Sequence, residues 1–271
     1  MASRFDIDTE VTARGDGRYG TRIDPGWWIQ RGPNGGYIAA VLVQALMAEV
    51  DDPTRTARSL TVHYLTPAVE GPAEVEVHTE RAGRLVHFMS ARLRQGDRII
   101  ATAQAAFAVV YDSGDAAFAD PSFPGYPLPE EIAAAGAPEV TVPMRERYDF
   151  RHVTGAPWHS PRQTAETGGW IRLREPRPYD AAVVAALSDA WYPAIFTRVT
   201  KPLGVPTIDL TVHIRSVEAL ARMQPDDWMA VRFRTTVAAE GYLEEDGQLW
   251  APDGTLVAHS RQLGVLLDAD G

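Results

Sequence analysis

Residues 36–50 read GYIAAVLVQALMAEV, and residues 180–191 read DAAVVAALSDAW. In both stretches apolar residues recur at helical spacing, which predicts two helices, the first starting at Asn34 and Gly35 and the second capped by Asp180. Each helix is apolar on nearly all sides, so each must be surrounded by protein instead of lying on a surface. A curved antiparallel sheet wrapped around each helix satisfies this requirement, and we therefore predict an α+β fold.

Strand-like runs precede and follow both predicted helices along the sequence. They alternate between apolar and polar residues, and Gly-rich turns separate several of them, which favours consecutive antiparallel pairing. Around the first helix the predicted strands are residues 5–14, 59–67, 73–82, 85–94 and 98–111. Around the second helix they are residues 145–153, 168–175, 207–215, 228–238, 241–250 and 256–267.

The order of elements repeats along the chain. The tetrapeptide Leu60-Thr61-Val62-His63 recurs as Leu210-Thr211-Val212-His213, 150 residues later, which together with the matching helices favours an internal duplication. Six of the twenty prolines fall within residues 112–143, a density that excludes a long helix or strand. This segment is either a long loop within one domain or a connector, and we predict a connector between domains at 1–111 and 144–271.

Composition excludes several classes of function. The net charge is −10 with both signs interspersed, which argues against nucleic acid as a partner. The absence of cysteine excludes disulfides and thiolate chemistry, and no histidine pair has metal-ligand spacing, so neither a metal nor a cofactor is expected. No apolar run is long enough to span a membrane and no signal peptide is visible, which predicts a cytoplasmic protein.

The stretch Gly15-Asp16-Gly17-Arg18-Tyr19-Gly20 matches the glycine pattern of dinucleotide-binding proteins. That pattern needs a helix immediately after it, whose N-terminus holds the pyrophosphate. The residues that follow, TRIDPGWW, do not form a helical pattern. We therefore interpret the glycines as the turn of a hairpin.

Several segments resemble TesB-like acyl-CoA thioesterases, the acyl-CoA thioesterase II group. They are GPNGGYIAAVLVQAL at 32–46, RSLTVHYLTP at 58–67, AALSDAWYPAIF at 185–196 and DGTLVAHSRQLGVLL at 253–267. The resemblance covers most of the chain outside the linker and the extreme termini. It implies a double hot-dog, with two antiparallel sheets each wrapped around a central helix. It also implies hydrolysis of fatty acyl-CoA to free acid and CoA without a metal or a covalent nucleophile.

The resemblance also implies a set of site residues, in which an Asp, a Thr and a Gln of the second half hold the attacking water. These fall on Asp209, Thr236 and Gln262, with Thr235 one step from Thr236 and on the opposite face of its strand. Leu210 follows the Asp where better-known members carry His. From the residues alone, Asp209 could equally face solvent or pair with Arg215.

The start of the first helix is the second predicted part of the site. Free backbone N–H groups at a helix N-terminus stabilise negative charge, and Asn34, Gly35 and Gly36 would let an oxyanion approach them closely. An ordinary helix cap is the alternative. Asp189, inside the second apolar helix, is interpreted mainly as a structural residue that caps the kink before Pro193, or else as a polar anchor near the acyl tunnel.

Two other functions compete with hydrolysis. One is a non-catalytic acyl-thioester-binding hot-dog protein. The other is a hot-dog hydratase of enoyl thioesters, which would pair Asp209 with His213; residues four apart on a strand lie about 13 Å apart along the chain, too far for one dyad. Whatever the function, the exposed sheet edges of this fold favour a homo-oligomer.

Overall fold

The computed structural model of the chain describes residues 2–133, 142–155 and 161–268. Four α-helices are described: α1 (Arg4–Asp8), α2 (Gly35–Val50), α3 (Ala181–Leu187) and α4 (Val217–Arg222). The strands of the first half are β1 (Thr12–Gly15), β2 (Arg18–Ile23), β3 (Arg55–Tyr64), β4 (Gly71–Ala82), β5 (Val86–Gln95) and β6 (Arg98–Val109). Those of the second half are β7 (Tyr148–Thr154), β8 (Ala165–Leu173), β9 (Leu203–Gly204), β10 (Thr207–Ile214), β11 (Met229–Thr235), β12 (Ala238–Ala239), β13 (Tyr242–Trp250), β14 (Leu256–Val265) and β15 (Leu267–Asp268).

Thirteen of these strands form one continuous antiparallel sheet. Along its main path the order is β1-β2-β4-β5-β6-β3-β10-β14-β13-β11-β8-β7, with β12 paired to β13, while β9 and β15 form a separate pair. The sequence led us to expect two sheets. Instead, the two halves join edge to edge through β3 and β10, because pairing satisfies the backbone groups that each edge strand would otherwise leave open.

The junction of the halves is centred on the repeated tetrapeptide. In the antiparallel register Thr61 lies opposite Thr211, Leu60 opposite Val212, and Val62 opposite Leu210. The two threonine hydroxyls are 3.0 Å apart and hydrogen-bonded. The pairing is therefore symmetric about the Thr61–Thr211 pair, whose members are equivalent residues of the two copies.

Both predicted helices are present and lie in the core, and their predicted caps are confirmed. The Asn34 side chain accepts a hydrogen bond from the N–H of Tyr37, and the Asp180 side chain accepts one from that of Val183. The second helix is shorter than expected, because α3 ends at Leu187. Asp189 consequently lies just beyond the end of a helix instead of within one.

The first predicted strand, residues 5–14, is partly wrong. Ser3 and Asp6 form a capping box in which Asp6 N–H donates to the Ser3 hydroxyl and Ser3 N–H donates to the Asp6 carboxylate, and this begins α1. Only the end of the segment contributes to β1. The hairpin turn is confirmed between β1 and β2, with Asp16 and Gly17 in left-handed conformations at φ values of 52° and 68°.

Between β6 and β7 the chain forms only short 3-10 turns in the residues that the structure describes. Residues 134–141 of the predicted linker lie outside the described residues. Across the three described ranges, no helix has the length and apolar character needed to cross a membrane.

The start of α2 meets the end of α3. A Cβ placed on Gly36, in the first turn of α2, would lie 2.5 Å from the backbone oxygen of Ala186 in α3 and 3.1 Å from the Cβ of Asp189. Backbone cannot give way as a flexible side chain can. A hydrogen at this position of α2 is therefore what lets the two helices approach each other.

Gly36→Ala should lower the free energy of unfolding by about 1–3 kcal/mol through overpacking, although alanine normally favours a helix. Urea denaturation of the full chain measures this change. Gly32→Ala is the matched control, because its Cβ would meet only the Pro67 side chain at 3.8 Å. Equal stability of the two variants would contradict the close approach of the helices.

Candidate active site

The carboxyl of Asp189 lies at the N-terminus of α2. The Gly36 N–H donates to its Oδ2 at 2.9 Å, and Asn34 Nδ2 donates to the same oxygen at 2.9 Å and to the Asp189 carbonyl at 2.7 Å. As a whole residue, Asp189 is partly exposed. An acid of the second half is thus held against α2, the central helix of the first half.

The start of α2 is built to hold this acid. Asn34 caps the helix with its Oδ1, which accepts from Tyr37 N–H at 3.1 Å, and this leaves its amide nitrogen directed at Asp189. The Tyr64 hydroxyl, at the end of β3, donates to the Gly35 carbonyl at 2.8 Å and steadies the turn. The first N–H groups of a helix have no internal partner and carry partial positive charge, so they stabilise an anion here.

Thr207 and Gln262 complete the polar cluster. The Thr207 hydroxyl donates to Gln262 Oε1 at 2.9 Å. Regular alternation would place Thr207 on the same face as Asp209, but the register between β10 and β14 shifts between these two residues. A bulge of this kind redirects a side chain, and here Thr207 contacts the inward-facing Gln262.

A second acid contacts the same glutamine. Glu245 lies on β13 and is 4% exposed, and its Oε1 accepts from Gln262 Nε2 at 2.9 Å. Its Oε2 accepts from the Ala194 N–H at 2.5 Å. The Gln262 amide, itself 9% exposed, therefore lies between Thr207 on its oxygen side and Glu245 on its nitrogen side.

Both acids bind protons more tightly than free carboxyls do. Burial raises the pKa of Asp189 to about 6, although hydrogen bonds from Gly36, Asn34, Gly35 and Gln262 act in the opposite direction. Burial raises the pKa of Glu245 to about 7, against the hydrogen bonds from Ala194 and Gln262, and the charge of Asp189 raises it further. A carboxyl with such a pKa is suited to accept a proton near neutral pH.

The structure separates Asp209 from this cluster. On β10, Asp209 lies opposite Leu263 of β14, which is 37% exposed, whereas the neighbouring buried Leu210 lies opposite Gln262. Successive strand residues point to opposite faces, so Asp209 and Gln262 lie on different sides of the sheet. Asp209 lines an outer groove of about 720 Å³ together with charged residues such as Glu166 and Arg232. The arrangement expected from the sequence, with Asp209 and Gln262 around one water, is not observed.

The predicted threonine is also not brought to the cluster. Thr236 is exposed, and its N–H and hydroxyl bond to the carboxylate of Glu244. Thr235, the alternative, is buried, and its hydroxyl has no hydrogen-bond partner within the described ranges. The reason lies in β11, which ends at Thr235 and leaves Thr236 outside the sheet.

Four predicted residues do come together, namely Asn34, Gly35, Gly36 and Gln262. Their predicted roles are untested, and the Gly36 N–H that was expected to face an oxyanion donates to Asp189. Sequence reasoning missed Thr207 and Glu245 and treated Asp189 as mainly structural. An acid in an otherwise apolar segment was a signal for Asp189, but the bulge that redirects Thr207 leaves no trace in the alternation pattern.

Among the residues that the structure describes, no group of three or more His, Asp or Glu side chains could hold a metal ion.

Comparison with known families follows the two halves of the chain. A model described as the acyl-CoA thioesterase N-terminal domain matches residues 24–108, and one described as the acyl-CoA thioesterase C-terminal domain matches residues 128–266. The chain belongs to the acyl-CoA thioesterase family. Among curated proteins, none matches this thioesterase-family chain significantly.

Solved structures resemble the chain over nearly its whole length. A hot-dog fold protein of unknown function from Alicyclobacillus acidocaldarius is 26% identical with a TM-score of 0.92, covering 98% of both chains. A putative thioesterase II from Thermobifida fusca is 29% identical with a TM-score of 0.83, covering 97% of both chains. The acyl-CoA thioesterase II TesB2 from Mycobacterium marinum, at 18% identity and a TM-score of 0.79, covers 98% of this chain and 100% of its own and shares the fold. This member of the thioesterase family thus has the hot-dog fold.

The raised pKa values predict how the stability of this thioesterase-family protein depends on pH. Asp189 and Glu245 bind protons more tightly in the folded than in the unfolded chain, so they favour folding at low pH and lose that advantage as pH rises from about 4 to about 7. Asp189→Asn removes one of the two groups. Relative to the wild type, its free energy of unfolding should therefore increase across this range, by on the order of 1–3 kcal/mol.

Urea denaturation at a series of pH values measures this difference curve. The comparison cancels the contributions of other titrating groups to the free energy of unfolding. One of these is His152: burial lowers its pKa to about 4, so its contribution to stability changes with pH in the opposite direction. Parallel curves for Asp189→Asn and the wild type would show that the Asp189 carboxyl does not carry the raised pKa.

Proposed function

We propose that the chain hydrolyses fatty acyl-CoA to free acid and CoA, using a water activated by Asp189, Thr207 and Gln262. The observation that carries the proposal is the Asp189 carboxyl, on a partly exposed residue, with its pKa raised to about 6 and bonded to the N-terminus of α2. Membership of the acyl-CoA thioesterase family supports the same reaction. In this proposal Asp189 takes the role that the sequence assigned to Asp209, and Thr207 that of Thr236.

The proposed mechanism needs only groups of this cluster. Asp189 accepts a proton from water as the water oxygen attacks the thioester carbonyl carbon. Because the Gly36 N–H is already bonded to Asp189, the negative charge that develops on the carbonyl oxygen is stabilised by the positive end of the α2 dipole and not by that N–H. When the tetrahedral intermediate collapses, the C–S bond breaks and the proton passes from Asp189 to the CoA sulfur, so that water and acyl-CoA give acid and free thiol.

We further propose that the chain is a double hot-dog. Each half contributes one buried helix, α2 or α3, and a set of antiparallel strands, and the halves meet about the Thr61–Thr211 pair. The domains at 1–111 and 144–271, the cytoplasmic location and the homo-oligomer remain predictions from the sequence. In this arrangement the proposed site lies where the start of α2 meets the end of α3.

Asp189→Asn should lower kcat by about 100-fold or more, because the variant keeps the shape of the side chain but cannot accept the proton. Asp209→Asn is the matched control on the outer face and should stay within about threefold of the wild type. The measurement is release of free thiol from acyl-CoAs of two to eighteen carbons. An active Asp189→Asn with an inactive Asp209→Asn would restore the assignment made from the sequence. Binding of acyl-CoA without thiol release by the wild type would instead indicate a non-catalytic binding protein.

Thr207→Val should lower kcat about tenfold, because it removes one hydroxyl from the proposed water site and leaves Gln262 Oε1 without its donor. Thr236→Val is the matched control, since its side chain bonds to Glu244 on an exposed edge. Steady-state kinetics on the two folded variants tests the choice. The assignment fails if Thr236→Val is the slower enzyme.

A further inference from the structure

Glu245 is a buried acid that the proposed reaction does not use. It is only 4% exposed, and both of its oxygens accept hydrogen bonds, one from Gln262 Nε2 at 2.9 Å and one from the Ala194 N–H at 2.5 Å. In the part of the chain that the structure describes, no basic side chain forms an ion pair with it. Burying an acid without a counter-ion costs stability, which makes Glu245 a candidate for a functional role.

The effect of Glu245 on Gln262 follows from hydrogen-bond chemistry. A glutamine amide has an accepting oxygen and a donating nitrogen of nearly the same shape, and its two orientations differ only in the partners that they satisfy. An ionised Glu245 can only accept, so it requires Nε2 on its side, and Oε1 then faces the Thr207 hydroxyl. The second hydrogen of Nε2 remains available to Asp189, whose pKa the Gln262 amide lowers.

Resting on the hydrolysis proposed above, we propose that Glu245 is a positioning residue, which keeps the Gln262 amide in the one orientation that serves both Thr207 and Asp189. The opposite orientation would place Oε1 against the Glu245 carboxylate, where two acceptors repel. It would also turn the amide nitrogen away from Asp189. The acid therefore acts on the water site through Gln262 without touching the substrate.

This role requires Glu245 to be ionised, because a protonated carboxyl offers one acceptor fewer for Gln262 and Ala194. The groups that act on Glu245 are Asp189 beyond α3, Gln262 on β14, the Ala194 N–H and, from the opposite face of its own strand, Glu244. Burial and the charges of the two other acids raise the pKa of Glu245 to about 7. The activity of the wild type should accordingly fall as the pH drops below about 7, ahead of the loss that protonation of Asp189 causes near pH 6.

Glu245→Gln on the full chain tests the proposal by kinetics. The new amide cannot accept from both Gln262 and Ala194, so kcat should fall about tenfold or more while KM changes by less than about twofold. The limb of the pH profile near pH 7 should disappear and leave only the limb near pH 6. Asp246→Asn, the same change one residue further along β13 at an exposed acid, should keep the wild-type kcat and both limbs.

The outcomes separate this inference from the function on which it rests. A wild-type pH profile and kcat in Glu245→Gln, together with an inactive Asp189→Asn, would overturn the positioning role and leave hydrolysis standing. No thiol release by the wild type from any acyl-CoA would overturn the proposed function itself.

A measurement on the wild type covers the case in which Glu245→Gln does not fold. The side-chain amide resonance of Gln262, identified by its loss in Gln262→Glu, should shift in ¹⁵N NMR with a midpoint near pH 7. A Gln262 amide signal that stays constant from about pH 9 down to the onset of acid unfolding would overturn the proposal, because protonation of a Glu245 that positions the glutamine must change that resonance.

Discussion

The antiparallel pairing of β3 with β10 is the constraint on which the rest of the structure depends. It joins two similar halves in one register, with Thr61 opposite Thr211 and their hydroxyls hydrogen-bonded. A slip by one residue would turn every inward side chain of either strand outward, so the apolar core holds this register. The same register brings the N-terminus of α2 to the end of α3. The proposed site is a consequence of that meeting, and neither half contains it alone.

The cluster at this junction is costly for stability. Two acids, Asp189 and Glu245, are surrounded by protein, and burial raises the pKa of each. Hydrogen bonds from a helix N-terminus and from the Gln262 amide offset part of the cost. Groups of this kind are typical of functional sites, where proton affinity matters more than folding stability. The close contact at Gly36 has the same character, since the helices approach each other only because a hydrogen stands there.

A single irregularity decides which side chains meet. β10 carries Thr207 and Asp209 two residues apart, and a regular strand would direct both to the outer face. The register shift between them leaves Asp209 in the outer groove and turns Thr207 to Gln262. The resemblance therefore pointed to this strand, and the structure brings Thr207 instead of Asp209 to Gln262. Thr236 lies away from the cluster for a related reason, because β11 ends before it.

The sequence by itself determined the two apolar helices with their caps, the positions of nearly all the long strands, the hairpin at residues 15–20, and the resemblance to acyl-CoA thioesterases that the family models confirm. These features depend on neighbours a few residues apart, through helical or strand periodicity and capping side chains. Only the tertiary structure decided that the halves share one sheet, that Asp189 meets Asn34 and Gly36, and that Glu245 contacts Gln262. The Asp189 contacts join residues more than 150 positions apart, and local pattern carries no information about such pairs because packing and strand register create them.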